Sequence, residues 1–149
     1  MNRRNPLSPF PLVILVFLIV SSCASQRYTK KAVKFEEAGL YEDAASYYYE
    51  DVKKKNSNVD AKLGLRKTGQ QTLDKKLKTV KDAYKQTDYE DVVYYYLDAE
   101  RYKDKLSLVG VDLTFPEIYE SYYDEAKNDF LNELYIDGLD KLNREEFKA

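Results

Sequence analysis

The sequence predicts an all-α protein built of antiparallel helical hairpins with elongated helices. Three observations carry that expectation. From residue 23 to 115 there is no proline, and only Gly39, Gly64, Gly69 and Gly110 interrupt the chain. Apolar residues recur at spacings of three and four, and no useful length shows the period-2 alternation that a strand needs. Finally, Tyr41-Glu42-Asp43-Ala44-Ala45-Ser46-Tyr47-Tyr48 recurs as Tyr89-Glu90-Asp91-Val92-Val93-Tyr94-Tyr95-Tyr96, with five of eight positions identical.

Residues 28–38 make a short first helix ended by Gly39, placed as a C-terminal cap residue. Residues 40–55 make a second, closed by the turn chemistry of Asn56-Ser57-Asn58. The third, 59–86, carries Leu65, Gly69, Leu73, Leu77, Val80 and Tyr84 on one stripe and would be about 42 Å long. Thr87-Asp88 caps a fourth over 88–106. Ser107 to Phe115 has no helical stripe, and Val109-Gly110-Val111-Asp112 reads as a loop.

Pro116 then suits a first helical turn, with Thr114 as cap and Glu117 favourable to the helix dipole. The fifth helix, about 116–142, carries Tyr119, Tyr122, Ala126, Phe130, Leu134 and Leu142 on one side. A sixth is expected from Asn143, because Asn143 to Ala149 looks like the turn and start of another hairpin arm. A hairpin stopped there leaves helix five partly uncovered. The array is therefore expected to be incomplete at its C-terminal end, or covered by another protein.

Composition removes most chemistries. The 149 residues suit one domain. There is no His and no Trp, and Cys23 is the single cysteine. Intramolecular disulfides, Cys/His zinc sites and Ser-His-Asp or Cys-His nucleophile systems are excluded. The 24 basic and 26 acidic residues nearly cancel; without residues 1–22, which hold Arg3 and Arg4, 22 face 26. That acidic balance argues against a nucleic-acid partner, whose binding rests on cationic neutralisation of phosphates.

Residues 1–22 read as an export signal: Arg3 and Arg4, then an apolar run of 11 residues from Phe10 to Val20, then small residues. The run is too short for a transmembrane helix, which needs about 20 apolar residues. Adjacent arginines lack a surrounding twin-arginine consensus. The run ends in Val20-Ser21-Ser22-Cys23, which resembles the lipobox of bacterial lipoproteins. The resemblance implies cleavage before Cys23, a covalent lipid on its sulfur as the one prosthetic group, and residues 23–27 as a short tether. The alternative is an ordinary secretory signal with an incidental cysteine. Ala24 stands where inner-membrane lipoproteins often carry Asp, so the resemblance implies an outer-membrane location facing the periplasm.

Residues 28–149 form the helical domain, and its first half resembles the tetratricopeptide repeat. Tyr28, Ala32 and Phe35 match that family's first helix, Gly39 and Tyr41 its turn, and Ala44 and Tyr48 its second helix. In the second copy Tyr89, Tyr96 and Ala99 fit, with Val92 in place of alanine. Asp51 stands where a small residue is preferred, and Asn56 where proline is common. The copies lie 48 residues apart, against the family's 34. The resemblance covers about 28–104 and implies packing roles for these positions.

The acidic pairs Glu36-Glu37, Glu42-Asp43, Asp124-Glu125 and Glu145-Glu146 invite a general acid–base reading. Helix neighbours point about 100° apart, however, and these pairs lie among lysines, which describes a solvated face. Lys53-Lys54-Lys55 and Lys75-Lys76 read the same way. No calcium loop or glycine-rich phosphate loop occurs.

The 15 tyrosines, concentrated at 47–49, 94–96 and 122–123, are more informative. Stepping about 100° per residue from Tyr41, Ala44, Ala45, Tyr48 and Val52 share one face, while Tyr49 falls at about 80°. From Tyr89, Tyr96 repeats the packed position and Tyr94 falls at about 140°. Tyr48 and Tyr96 are therefore expected in the core, and Tyr49 and Tyr94 on a partner-binding surface.

The functional expectation is a non-enzymatic, lipid-anchored periplasmic scaffold that holds protein partners in an envelope complex. It implies membrane attachment through the lipid, no further cofactor and no small-molecule substrate. The alternatives are an envelope hydrolase using a carboxylate pair and a structural element separated from its partner.

Overall fold

The structure, a computed structural model, describes residues 27–146. The expected signal peptide, Cys23 and most of the tether lie outside the described residues. Those described are all-α: α1 (residues 27–37), α2 (Tyr41–Lys54), α3 (Val59–Lys85), α4 (Tyr89–Ser107) and α5 (Ile118–Glu146). They divide into two compact units, up to Leu65 and from Arg66 onward.

Three of the helix ends share one device. At the end of α1, the Leu40 amide donates to the Phe35 carbonyl at 2.9 Å and the Gly39 amide to Glu36 at 3.0 Å. Gly39 adopts φ 74°. This is the left-handed closure that satisfies a helix's last carbonyls. Gly110 closes α4 in the same way, with Val111 bonded to Leu106 and Gly110 to Ser107. Thr87 closes α3 although it is not glycine, at φ 57°. Asp88 then caps α4, accepting the Asp91 amide at 3.2 Å.

In the first unit, α2 buries Ala44, Ala45, Tyr48, Asp51 and Val52, and α1 contributes the fully buried Ala32. Tyr48 lies against α3 at Gly64, where a Cβ would come within 2.3 Å of the tyrosine ring. Asp51 is fully buried and accepts hydrogen bonds from Thr29 Oγ1 and Asn58 Nδ2. Asn58 Oδ1 in turn accepts the Ala61 amide at 3.3 Å, capping α3. One carboxylate thus joins α1, α2 and the following turn, at the position where the resembled repeat prefers a small residue. A buried charge survives only with such partners.

In the second unit, Val80, Ala83, Val92, Val93, Tyr96 and Ala126 form one core cluster. Leu73, Leu77 and Ala99 form another, with Leu113, Phe115 and Tyr119 packed against it. The 108–117 segment is held by Gln70. Its side-chain amide donates to the Thr114 carbonyl at 3.0 Å and accepts the Thr114 amide at 2.9 Å. Arg66 Nε donates to the Asp112 carbonyl.

Two expectations about α5 need correction. Its first turn around Pro116 and Glu117 closes with short-range bonds, Tyr119 to Pro116 and Glu120 to Glu117, before the α-helix starts at Ile118. At the other end the helix does not turn at Asn143 but runs on to Glu146. Asn143 and Arg144 supply neither Gly nor Pro to break it, and Arg144 pairs with Asp140 one turn back.

Candidate functional site

The repeat-packing positions fall into distinct environments. Phe35 stacks on Tyr47 with ring centroids 5.2 Å apart. Tyr28 is half-buried, and its hydroxyl accepts from Lys54 Nζ at 2.7 Å. Ala44, Val92 and Ala99 are fully buried, and Tyr89 is half-buried. Tyr41 departs from expectation: it is 38% exposed. As the first residue of α2, its side chain leans off the end of the helix, beyond the turn it would otherwise cover.

Tyr48 is buried and donates its hydroxyl to Glu36 at 2.8 Å. Burial and that carboxylate push its ionisation well above the ordinary tyrosine value. Tyr96 is also buried, stacked on Tyr123 at 4.4 Å and edge-on to Phe115 at 5.5 Å. Its ionisation is pushed up to about 12, by burial first and then by Glu100, Glu120 and Asp124. Tyr84 reaches about 12 as well, chiefly because its hydroxyl donates to Glu125 at 2.6 Å.

The two tyrosines expected at a binding surface differ. Tyr94 is 54% exposed, with one edge toward Phe130 at 6.2 Å. Tyr49 is half-buried; at about 80° from Tyr41 it lies on the flank of α2's packed face.

Glu42, Asp43, Asp124 and Glu125 are exposed, and Glu36 and Glu125 are engaged by tyrosine hydroxyls. Among the described residues no group of three acidic or cysteine side chains is placed to hold a metal ion. Lys76 pairs with Asp98 at 2.6 Å, tying α3 to α4. In the first unit, Arg27, Tyr28, Lys31 and Lys54 line an open recess of about 300 Å³. Lys54 Nζ stands 4.0 Å from the Tyr28 ring centre, and Lys31 Nζ 5.5 Å from that of Tyr47. Three cations around the recess suit an anionic group. The sequence reading placed Tyr28 in packing alone and set Lys54 on a solvated face. The recess arises from contact between α1 and α2, which residue spacing within either helix does not reveal.

The last feature is the C-terminal half of α5. Leu131, Leu134, Tyr135, Ile136, Leu139 and Leu142 are between 42 and 67% exposed. Among the described residues no helix is long and apolar enough to cross a membrane. Set against family models, curated proteins and solved structures, the chain matches none.

Proposed function

We propose that this chain is a lipid-anchored scaffold of the bacterial cell envelope, attached on the periplasmic side of the outer membrane and presenting helical hairpins to protein partners. The observation that carries the reading is the position of the sole cysteine, at the end of Val20-Ser21-Ser22-Cys23 behind an 11-residue apolar run. The all-α hairpins supply rigid surfaces of the kind tetratricopeptide-like scaffolds use, with Tyr94 exposed on α4. The Arg27–Lys31–Lys54 recess supports the anchoring, because Arg27 follows Cys23 by four residues and cations favour a phosphate-rich surface.

The test is the Cys23→Ala variant, expressed beside the parent chain with radiolabelled palmitate. The parent is expected to carry label and sediment with outer membranes. The variant is expected to lose the label and to remain uncleaved or soluble, since no other side chain can form the thioether. Label retained by Cys23→Ala would overturn the lipoprotein reading. Crosslinked pulldown of the lipidated chain then identifies the partner, and Tyr94→Ala is expected to weaken its capture.

A further inference from the structure

The first hairpin has its charges sorted between its two ends. Residues 27–34, in the first turns of α1, include Arg27, Lys30, Lys31 and Lys34 and no acidic residue. Lys53, Lys54 and Lys55 follow at the close of α2, and Lys54 reaches back to Tyr28 at that same end. The connecting turn has the opposite sign: 35–46 contains Glu36, Glu37, Glu42 and Asp43 and no basic residue. At the basic end Asp51 is buried and bonded to Thr29 and Asn58. Glu50 and Asp60 are the other acidic residues near it in sequence, outnumbered by the cations.

The recess of Arg27, Tyr28, Lys31 and Lys54 lies in that basic end and presents donors. Lys54 gives one N–H to the Tyr28 hydroxyl at 2.7 Å and stands over the same ring, which leaves two N–H groups. The Tyr28 hydroxyl, having accepted, keeps its own hydrogen to donate. Lys31 stands over the Tyr47 ring, itself stacked on Phe35. Rings position both amines, and among the described residues Arg27, Lys31 and Lys54 form no ion pair with a carboxylate. Their charge is left for an outside anion, and an opening of about 300 Å³ admits a phosphate group.

We propose that the recess seats the phosphate of an anionic phospholipid headgroup, with the first hairpin standing on its basic end and its acidic turn held away from the membrane. The inference rests on the lipid anchor of the proposed function. Arg27 follows Cys23 by four residues, a reach of at most about 14 Å. An anchored chain therefore keeps the recess at headgroup level. The tether brings no competing anion, because Ala24, Ser25 and Gln26 are uncharged. The field of an anionic surface fades within a Debye length of about 8 Å, so it acts on the end of the hairpin nearest the anchor. That end is attracted and the acidic turn is repelled, which sets the direction in which the hairpin points.

The test uses the full chain, purified from membranes and reconstituted into vesicles, with acetylation of lysine amines followed by mass spectrometry. Adding phosphatidylglycerol to phosphatidylcholine vesicles is expected to slow labelling of Lys31 and Lys54 roughly tenfold. Lys75, exposed on α3, is expected to change less than about twofold. Arg27→Gln removes a cation at an exposed position and leaves both lysines readable; it is expected to return most of their reactivity. Glu42→Lys places an amine at the acidic turn, expected to label equally with and without phosphatidylglycerol. Soluble glycerol phosphate, added to phosphatidylcholine vesicles, is expected to protect neither lysine. Equal protection by it would overturn the lipid as the source of the phosphate. Indifference of Lys31 and Lys54 to phosphatidylglycerol, full protection in Arg27→Gln, or equal slowing at Lys75 or at the turn amine would each overturn the proposal. Flotation with phosphatidylcholine vesicles alone reports the anchor separately. Flotation without protection fells the recess and leaves the anchor, and protection without flotation does the reverse.

Discussion

At Gly64 the Tyr48 ring occupies the space a methyl group would need, and that contact decides what substitution does there. Alanine is the better helix former by about 1 kcal/mol. Even so, Gly64→Ala is expected to lower stability by about 1–3 kcal/mol, the usual range for overpacking, because the ring must shift away from its bond to Glu36. A thermal melt that rises for Gly64→Ala would show that Tyr48 has room elsewhere. Removing the ring itself is worse. Tyr48→Ala and Tyr96→Ala each delete a buried aromatic and are expected to cost about 3–5 kcal/mol. Tyr94→Ala, at an exposed position, should stay within about 0.5 kcal/mol. Melts of the three variants side by side check the ordering.

The elements were legible in the sequence to different degrees, for physical reasons. Gly39 announces the end of α1 because glycine enters the left-handed region without a steric cost. Thr87 does the same work invisibly, since a β-branched residue is disfavoured there and reads instead as a helix start. The face of α2 follows from stepping around one short helix. The stripe read along α5 holds through Tyr119, Tyr122, Ala126 and Phe130 and fails beyond them, because spacings of four advance about 40° each time. The series therefore leaves the buried side after Phe130, and Leu134 and Leu142 stand about half exposed. Gln70 was not legible at all: its bonds to Thr114 span 44 residues, a separation no local pattern encodes. Gln70→Ala is expected to leave α3 intact and to cost about 1–2 kcal/mol through the loop it holds. Hydrogen exchange is the direct measurement, with the Thr114 amide losing protection while those of Leu73 and Leu77 keep theirs. Unchanged protection at Thr114 would mean that Leu113 and Phe115 hold the segment alone.

For the molecule as a whole, the hydroxyls set an alkaline limit. Tyr48, Tyr84 and Tyr96 all ionise above the ordinary value of 10.0 when folded. The folded state keeps them protonated while the unfolded chain has begun to ionise, so stability is fully present below pH 10 and falls as pH climbs toward 12. The melting temperature is expected to decline across that window, and less steeply in Tyr96→Phe. A flat profile from pH 9 to 12 would show that these hydroxyls reach solvent. The absence of tryptophan adds a further consequence. Near-ultraviolet circular dichroism of this protein is dominated by tyrosine, and the most closely stacked tyrosine pairs, Tyr84–Tyr122 at 4.1 Å and Tyr96–Tyr123 at 4.4 Å, both join α5 to the helices before it. That optical band is therefore a built-in gauge of α5 docking, readable without a dye or an added chromophore.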